Sequence, residues 1–235
     1  MKQIKNDYLE LLAELGIGGA HPGGINLTEE ILKNENINSS DQVLDAGCGT
    51  GQTAAYISQT FQAKVTALDF NPTMVAKARH RMKINNLPVE IIEGSIEDIP
   101  LPNHHFDFII SESVISFVNK PKAISEIYRI LKNGGRFIAV KPTLNERLDV
   151  TQEQEIMQFY GLDSLLMEKD WAELLKQIGF KNIQIQHHPT IESEPDFHYS
   201  TEIDPTLYDV MKKHLDIITK YYETFSYRVY TCSKQ

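Results

Sequence analysis

Between residues 42 and 141 short apolar runs alternate with stretches of helical periodicity, and this alternation restricts the fold more than any other feature of the chain. QVLDAG, KVTALDF, VEIIEG, FDFIISES and RFIAVK read as buried strands. The first is followed by a helical pattern with Ala54, Ala55 and Ile57. Asn71-Pro72 reads as an N-cap with proline at the first helical position, opening a helix that runs to about Ile84. Pro121 opens another, with Ile124, Ile127, Tyr128 and Leu131 on its apolar face and Lys132 and Gly134 closing it. Strands alternating with helices predict an α/β protein: a parallel sheet covered on both faces. Ligands on such sheets bind outside the carboxyl ends of the strands. The glycines of LDAGCGTGQT, Asp69, Ser95 and Glu112 all fall at or just after such ends.

The flanks are less regular. Ile4, Tyr8, Leu11, Leu12 and Leu15 share a helical face over residues 3–15, and GIGGAHPGGINLT, with five glycines, reads as a hinge leading to a helix capped by Thr28. Beyond residue 143 the spacing predicts two irregular insertions, 144–169 and 190–225, the second with a helix near 205–222. Between them Asp170 and Glu173 suggest a capping box for WAELLKQIGF, followed by a strand at IQIQHH. SYRVYTCS is the final strand. The expected organisation is one domain over 1–235: a helical lid at 1–36, a core at 41–142, and the two insertions on the substrate side.

Composition removes several functions. A net charge of -9 repels phosphate backbones, so no nucleic-acid partner is expected; the basic residues at 79–83 read as the solvated face of a helix. Two cysteines, Cys48 and Cys232, suggest neither a disulfide framework nor a metal site. Asp7, Glu10 and Glu14 interrupt the N-terminal apolar residues, so no signal peptide is read there. No run approaches the ~18 apolar residues of a membrane span. A cytoplasmic protein without a membrane partner is the expectation.

The glycine loop itself narrows the ligand. A dinucleotide fingerprint GxGxxG would need glycine where Gln52 stands, and a phosphate-binding Walker loop would need a lysine that is absent. What is left is Asp45, then Gly47, Gly49 and Gly51, then a helix. Glycines let backbone pass close beneath a ligand, a helix N-terminus favours a carboxylate, and Asp45 can accept from an ammonium. Asp69, about twenty residues on, suits two ribose hydroxyls. An amino acid joined to a ribose without phosphate describes S-adenosylmethionine (SAM).

VLDAGCGTGQ, ALDFNPTMVAKA, EGSIEDIPLPNHHFDFIISESVISFV and EIYRILKNGGRFIAV together resemble the successive motifs of the class I SAM-dependent methyltransferases, small-molecule type. The resemblance implies a Rossmann-like three-layer sandwich with a seven-stranded, mostly parallel sheet and a reversed last strand. It implies Asp45, Gly47, Gly49 and Gly51 around the methionine part and Asp69 on the ribose. Phe70 and Met74 would pack on the adenine, Ser95 and Ile96 would line it, and Ser111 would lie beneath the sulfonium. Many relatives carry Asp where this chain has Ser95. HPGG before the Thr28 helix is similar to the N-terminal lid of some of these enzymes, which would bring His21 to the cofactor.

Methyl transfer from a sulfonium needs proximity and dryness more than a dedicated acid or base. No catalytic residue is therefore assigned; His21, Glu112, His187, His188, His198 and Tyr199 are candidates, and no metal is expected. SESV stands where many nucleic-acid amino-methyltransferases carry an NPPY-type tetrapeptide, and the cysteines are too few for arsenic chemistry. The expected acceptor is a small, partly hydrophobic organic molecule, methylated on O, N or C. A protein side chain as acceptor, or a SAM-binding regulator without turnover, are the alternatives.

Overall fold

The computed structural model describes residues 6–21, 23–187, 196–200 and 203–235. His188, one of the candidates, lies outside the described residues. Nine strands and eight α-helices run in the order α1 (Asp7–Leu15), β1 (Ile17–Gly18), α2 (Gly24–Lys33), β2 (Gln42–Ala46), α3 (Gln52–Phe61), β3 (Lys64–Asp69), α4 (Pro72–Ile84), β4 (Glu90–Glu93) and β5 (Phe106–Glu112) among the described residues. A 3-10 turn at Val114–Phe117 follows, then α5 (Lys120–Ile130), β6 (Leu131–Leu144), α6 (Val150–Tyr160), α7 (Glu168–Ile178), β7 (Lys181–His187), β8 (Asp196–Phe197), α8 (Leu207–Lys220) and β9 (Phe225–Ser233).

Seven strands form one sheet in the order β4-β3-β2-β5-β6-β9-β7. Pairing is parallel from β4 through β6, whereas β9 runs antiparallel to both β6 and β7. The two-residue side-chain period sorts this sheet into two cores. Leu44, Leu68, Ile109, Phe137 and Ala139 face α5 and α7, where they meet Ile124, Ile127, Trp171 and Leu175. Val43, Val65, Ile110, Ile138 and Val140 face the other way, against Leu27 and Ile31 of α2, Ala54 and Ile57 of α3, and Ala78 and Met82 of α4. The result is the three-layer α/β sandwich that the strand pattern predicts.

Local chemistry accounts for the ends of these elements. The Asn71 side chain accepts from the Thr73 and Met74 N–H groups ahead of Pro72, as an N-cap should. Helix α5 stops at Ile130, short of Lys132 and Gly134, because Leu131 already pairs in the sheet beside Phe106. Asp170 is the third residue of α7 rather than its cap: the helix starts at Glu168, and the Asp170 carboxylate reaches back to the Met167 N–H. Thr28 is not an N-cap either. Gly23, in the left-handed region at φ 81°, caps α2 one turn earlier, which leaves Thr28 inside the helix and buried.

The N-terminal hinge is stitched down. Ile17 and Gly18 pair with Phe197 and Asp196, and the His198 N–H donates to the Gly16 carbonyl. Lys77 Nζ donates to the carbonyls of Ala13 and Glu14, 2.7 and 3.0 Å away, at the end of α1. Leu11 and Leu15 of α1 pack on Leu207 of α8.

Candidate active site

Three acids gather at the carboxyl ends of the central strands. Asp45, at the end of β2, is 3% exposed, and its Oδ2 accepts the Ala54 N–H at 3.0 Å. Burial pushes its carboxyl well above the usual range, and the nearby Glu112 charge adds to this. Asp69, at the end of β3, accepts from the Gly49 N–H at 2.8 Å through Oδ2 and from the Asn71 N–H at 2.9 Å through Oδ1. One carboxylate thus ties the glycine loop to the start of α4, and burial raises its pKa also.

Glu112 is the third. Its Oε1 accepts from Thr28 Oγ1 at 2.6 Å and its Oε2 from Thr53 Oγ1 at 2.7 Å; His21 Nε2 lies 3.4 Å from Oε2. Glu112 therefore joins α2, α3 and the N-terminal segment in one buried cluster. Thr28 and Thr53 were missed in the sequence: a lone threonine before an apolar run reads as a helix cap, and a second near a helix start reads as filler.

The glycine loop has the backbone its residues foretell. Gly47, Gly49 and Gly51 all take positive φ, at 86°, 52° and 76°. A Cβ on Gly47 would stand 2.2 Å from Val114 Cγ2, so only glycine lets the loop pass beneath the 3-10 turn. At Gly49 nothing lies within 4 Å of the Cβ position, which leaves room above the loop for a ligand. Arg81 braces the far side, donating to the Thr50 carbonyl at 2.8 Å and to Asp196 at 2.6 Å.

The other predicted residues divide. Met74 is buried and Phe70, 39% exposed, presents its ring beside Asp69. Ser95 Oγ accepts from the Glu97 N–H, which closes the turn that buries Ile96 in the α5-side core. Ser111 is fully buried with an unpartnered hydroxyl, but strand alternation puts it on the sheet face opposite Asp45 and Glu112. His187 is an exposed partner of Glu168 on edge strand β7, and His198 pairs with Asp196. Tyr199 is exposed and stacks on Phe197. None of these last three lines the cavity described next.

That cavity, of about 560 Å³, adjoins Glu112 at His21 and Ser113. Tyr8 and Leu12 from α1, Tyr160 from α6, His214 and Ile217 from α8 and Tyr221 just after it line the cavity, with Trp171 of α7 in the wall. Its aromatic part is ordered: the Tyr8 and Tyr160 rings meet edge-on at 4.8 Å, and Tyr160 Oη lies 2.8 Å from His214 Nδ1. Burial pushes the Tyr8 phenol up to about 12 and lowers the His214 pKa. A second cavity, of about 630 Å³, is bounded by polar side chains such as Gln154, Glu155 and Lys213 and touches no strand end. Among the described residues no cluster of three or more His, Cys, Asp or Glu side chains is placed to hold a metal. None of the helices there is long and apolar enough to cross a membrane.

Comparison with known proteins agrees with this geometry. Residues 44–139, from Leu44 through the loop and all three strand-end acids to Ala139, match the family described as methyltransferase domain. The chain is 32% identical to an uncharacterized methyltransferase, YodH, of Bacillus subtilis, covering 97% of this chain and 99% of that one. It is 33% identical over 149 residues to the chloroplastic 2-methyl-6-phytyl-1,4-hydroquinone methyltransferase of Arabidopsis thaliana, covering 62% of this chain but 41% of that protein. Among solved structures, Haemonchus contortus phosphoethanolamine N-methyltransferase 2 in complex with SAM superposes with a TM-score of 0.80 at 19% identity, over 99% of this chain and 60% of that one. That last likeness is one of fold alone. Sheet, reversed strand and acid-flanked glycine loop define a Rossmann-like SAM-binding protein. The chain belongs to the class I SAM-dependent methyltransferase family, and its cofactor is SAM.

Proposed function

We propose that the protein transfers the SAM methyl group to a small, partly hydrophobic organic acceptor held in the 560 Å³ cavity. The carrying observation is that this aromatic-lined space meets the strand-end acid Glu112 at His21 and Ser113. The Arabidopsis relative, named for a hydroquinone acceptor, is a methyltransferase for a small molecule, which supports the class without choosing a member of it.

The residues fit the cofactor in kind. Asp69 has lone pairs left after its two backbone bonds, suited to a ribose diol. Asp45 and the backbone of Gly47, Gly49 and Gly51 take the amino-acid end, next to the N-terminus of α3. Phe70, Met74, Ser95 and Ile96 would line the adenine side of the bound cofactor. The bound cofactor supplies a methyl group on a sulfonium, already activated for displacement. The protein's part is to hold the acceptor atom in line at about 3–3.5 Å and to keep water out. Tyr8, Leu12 and His21 from the N-terminal segment, with the α8 side chains opposite, provide that exclusion.

Two measurements test this. SAM at a hundred times its Kd should stabilise the native state by about 2.7 kcal/mol, a rise in Tm of roughly 5–10 °C for a chain of this size, whereas NAD and ATP should leave Tm unchanged. Incubation with methyl-labelled SAM and a panel of small apolar alcohols, phenols, acids and amines should label at least one. Label appearing only on protein would replace the small acceptor with a side chain.

A further inference from the structure

The apolar lining of the acceptor cavity is broken at one wall. Lys120 lines it there and is 3% exposed, its Nζ bonded to the Ser116 carbonyl and to Asp163. Behind it, Lys141 is 1% exposed, with its Nζ 5.3 Å from the centroid of the Trp171 indole that forms part of the same wall. The Lys141 amine has no hydrogen-bond partner among the described residues, and neither do Trp171 Nε1 or the hydroxyls of Ser111 and Ser113. Ser111 pairs in register with Ala139, two residues before Lys141, so Ser111 and Lys141 share one sheet face. The register partner of Lys141 on β9, Arg228, is another cation, and it is already engaged by Glu168.

Lys120 at this wall is satisfied by Ser116 and Asp163, whereas the Lys141 amine and the Trp171 indole N–H, both donors only, meet no acceptor among the described residues. Burying even one such donor unpaired is costly, and an amine the more so. Native proteins rarely keep such a group without a use for it. The complement of two unpaired donors is a group that accepts, and the complement of a lysine with no carboxylate partner, beside a second lysine that has only one, is an anion. Burial and the neighbouring Lys120 charge hold the Lys141 pKa well below its usual value, a depression that an arriving anion would reverse.

We infer that the methyl acceptor is an organic acid, its apolar body in the aromatic part of the cavity and its carboxylate or comparable oxyanion at the Lys120–Trp171 wall, backed by Lys141. This rests on the reading of the cavity as the acceptor site.

The test compares two fluorescent probes with the same apolar body, 1-anilinonaphthalene-8-sulfonate and the uncharged N-phenyl-1-naphthylamine, titrated into the full chain with its cofactor product present. The parent protein should bind the sulfonate at least about tenfold more tightly. Lys141→Met and Lys120→Met should each remove most of that preference and leave the neutral probe's affinity unchanged. Lys141→Met should also melt no lower than the parent, since it deletes an unpartnered buried amine. Equal binding of both probes by the parent, parallel loss of both in the variants, or a Lys141→Met protein that melts well below the parent would overturn the acid while leaving the cavity as acceptor site. Failure of both probes to bind the parent would overturn the cavity reading, and the acid with it.

Discussion

Replacing Asp69 with Ala should weaken SAM binding by about ten- to hundredfold. Hydrogen bonds to a charged group are worth roughly 1.5–3 kcal/mol, and that range converts to this loss of affinity. The structure adds a second consequence. Asp69 already accepts the Gly49 and Asn71 N–H groups, so its removal frees the glycine loop as well as the ribose site. Asp69→Ala should therefore also lower the Tm of the cofactor-free protein. Asp69→Asn keeps one acceptor oxygen and should be milder on both counts. Calorimetry on folded Asp69→Ala that shows unchanged SAM affinity would move the ribose site elsewhere.

The sheet was legible because its inner strands are buried on one or both faces, which leaves a period-two or continuously apolar signature, and even the half-exposed edge strands β4 and β7 keep alternating or paired isoleucines. The loop and its two acids were legible because glycine and aspartate at strand ends are constrained by backbone and charge, not by distant packing. Helix α6 left no such trace. Ile156 is its one fully buried residue, and its start is fixed by Asp149 and Gln152 exchanging bonds with the backbone. The Glu112 cluster was half legible: the acid at a strand end was visible, but its threonine partners lie 84 and 59 residues away in sequence. Register alone cannot foresee that α2 starts a turn early and swings Thr28 inward. The cavity was invisible for the same reason, being closed by α1, α6 and α8, which meet only in the folded chain. Lys141 did leave a signal, a lysine in the inward-facing parity of RFIAVK, and a buried position is where such a lysine has most to explain.

Deleting residues 1–21 should leave the sheet folded and abolish methyl transfer. Among the described residues, neither of the two sheet cores includes a side chain from this segment; the first described contributor is Leu27. What the segment covers is the site. Tyr8, Leu12, Ile17 and His21 line the acceptor cavity, and His21 reaches Glu112. Among the contacts that seat it are the Lys77 bonds to Ala13 and Glu14, the short β1–β8 pairing, the Leu11 and Leu15 packing on α8, and the Tyr8 ring among Phe117, Phe159, Tyr160 and His214. A segment held by side-chain packing and short hydrogen-bonded contacts, outside the seven-stranded sheet, is suited to open for cofactor exchange and close for chemistry. Without it, water enters the cavity and the acceptor loses one wall, so proximity and desolvation fail together. The expected outcome is a circular dichroism spectrum close to the parent's, weaker SAM binding by calorimetry, and turnover reduced at least about a hundredfold. A truncated protein that stays folded and transfers methyl groups at the parent rate would show that the segment is packing and no part of the active site.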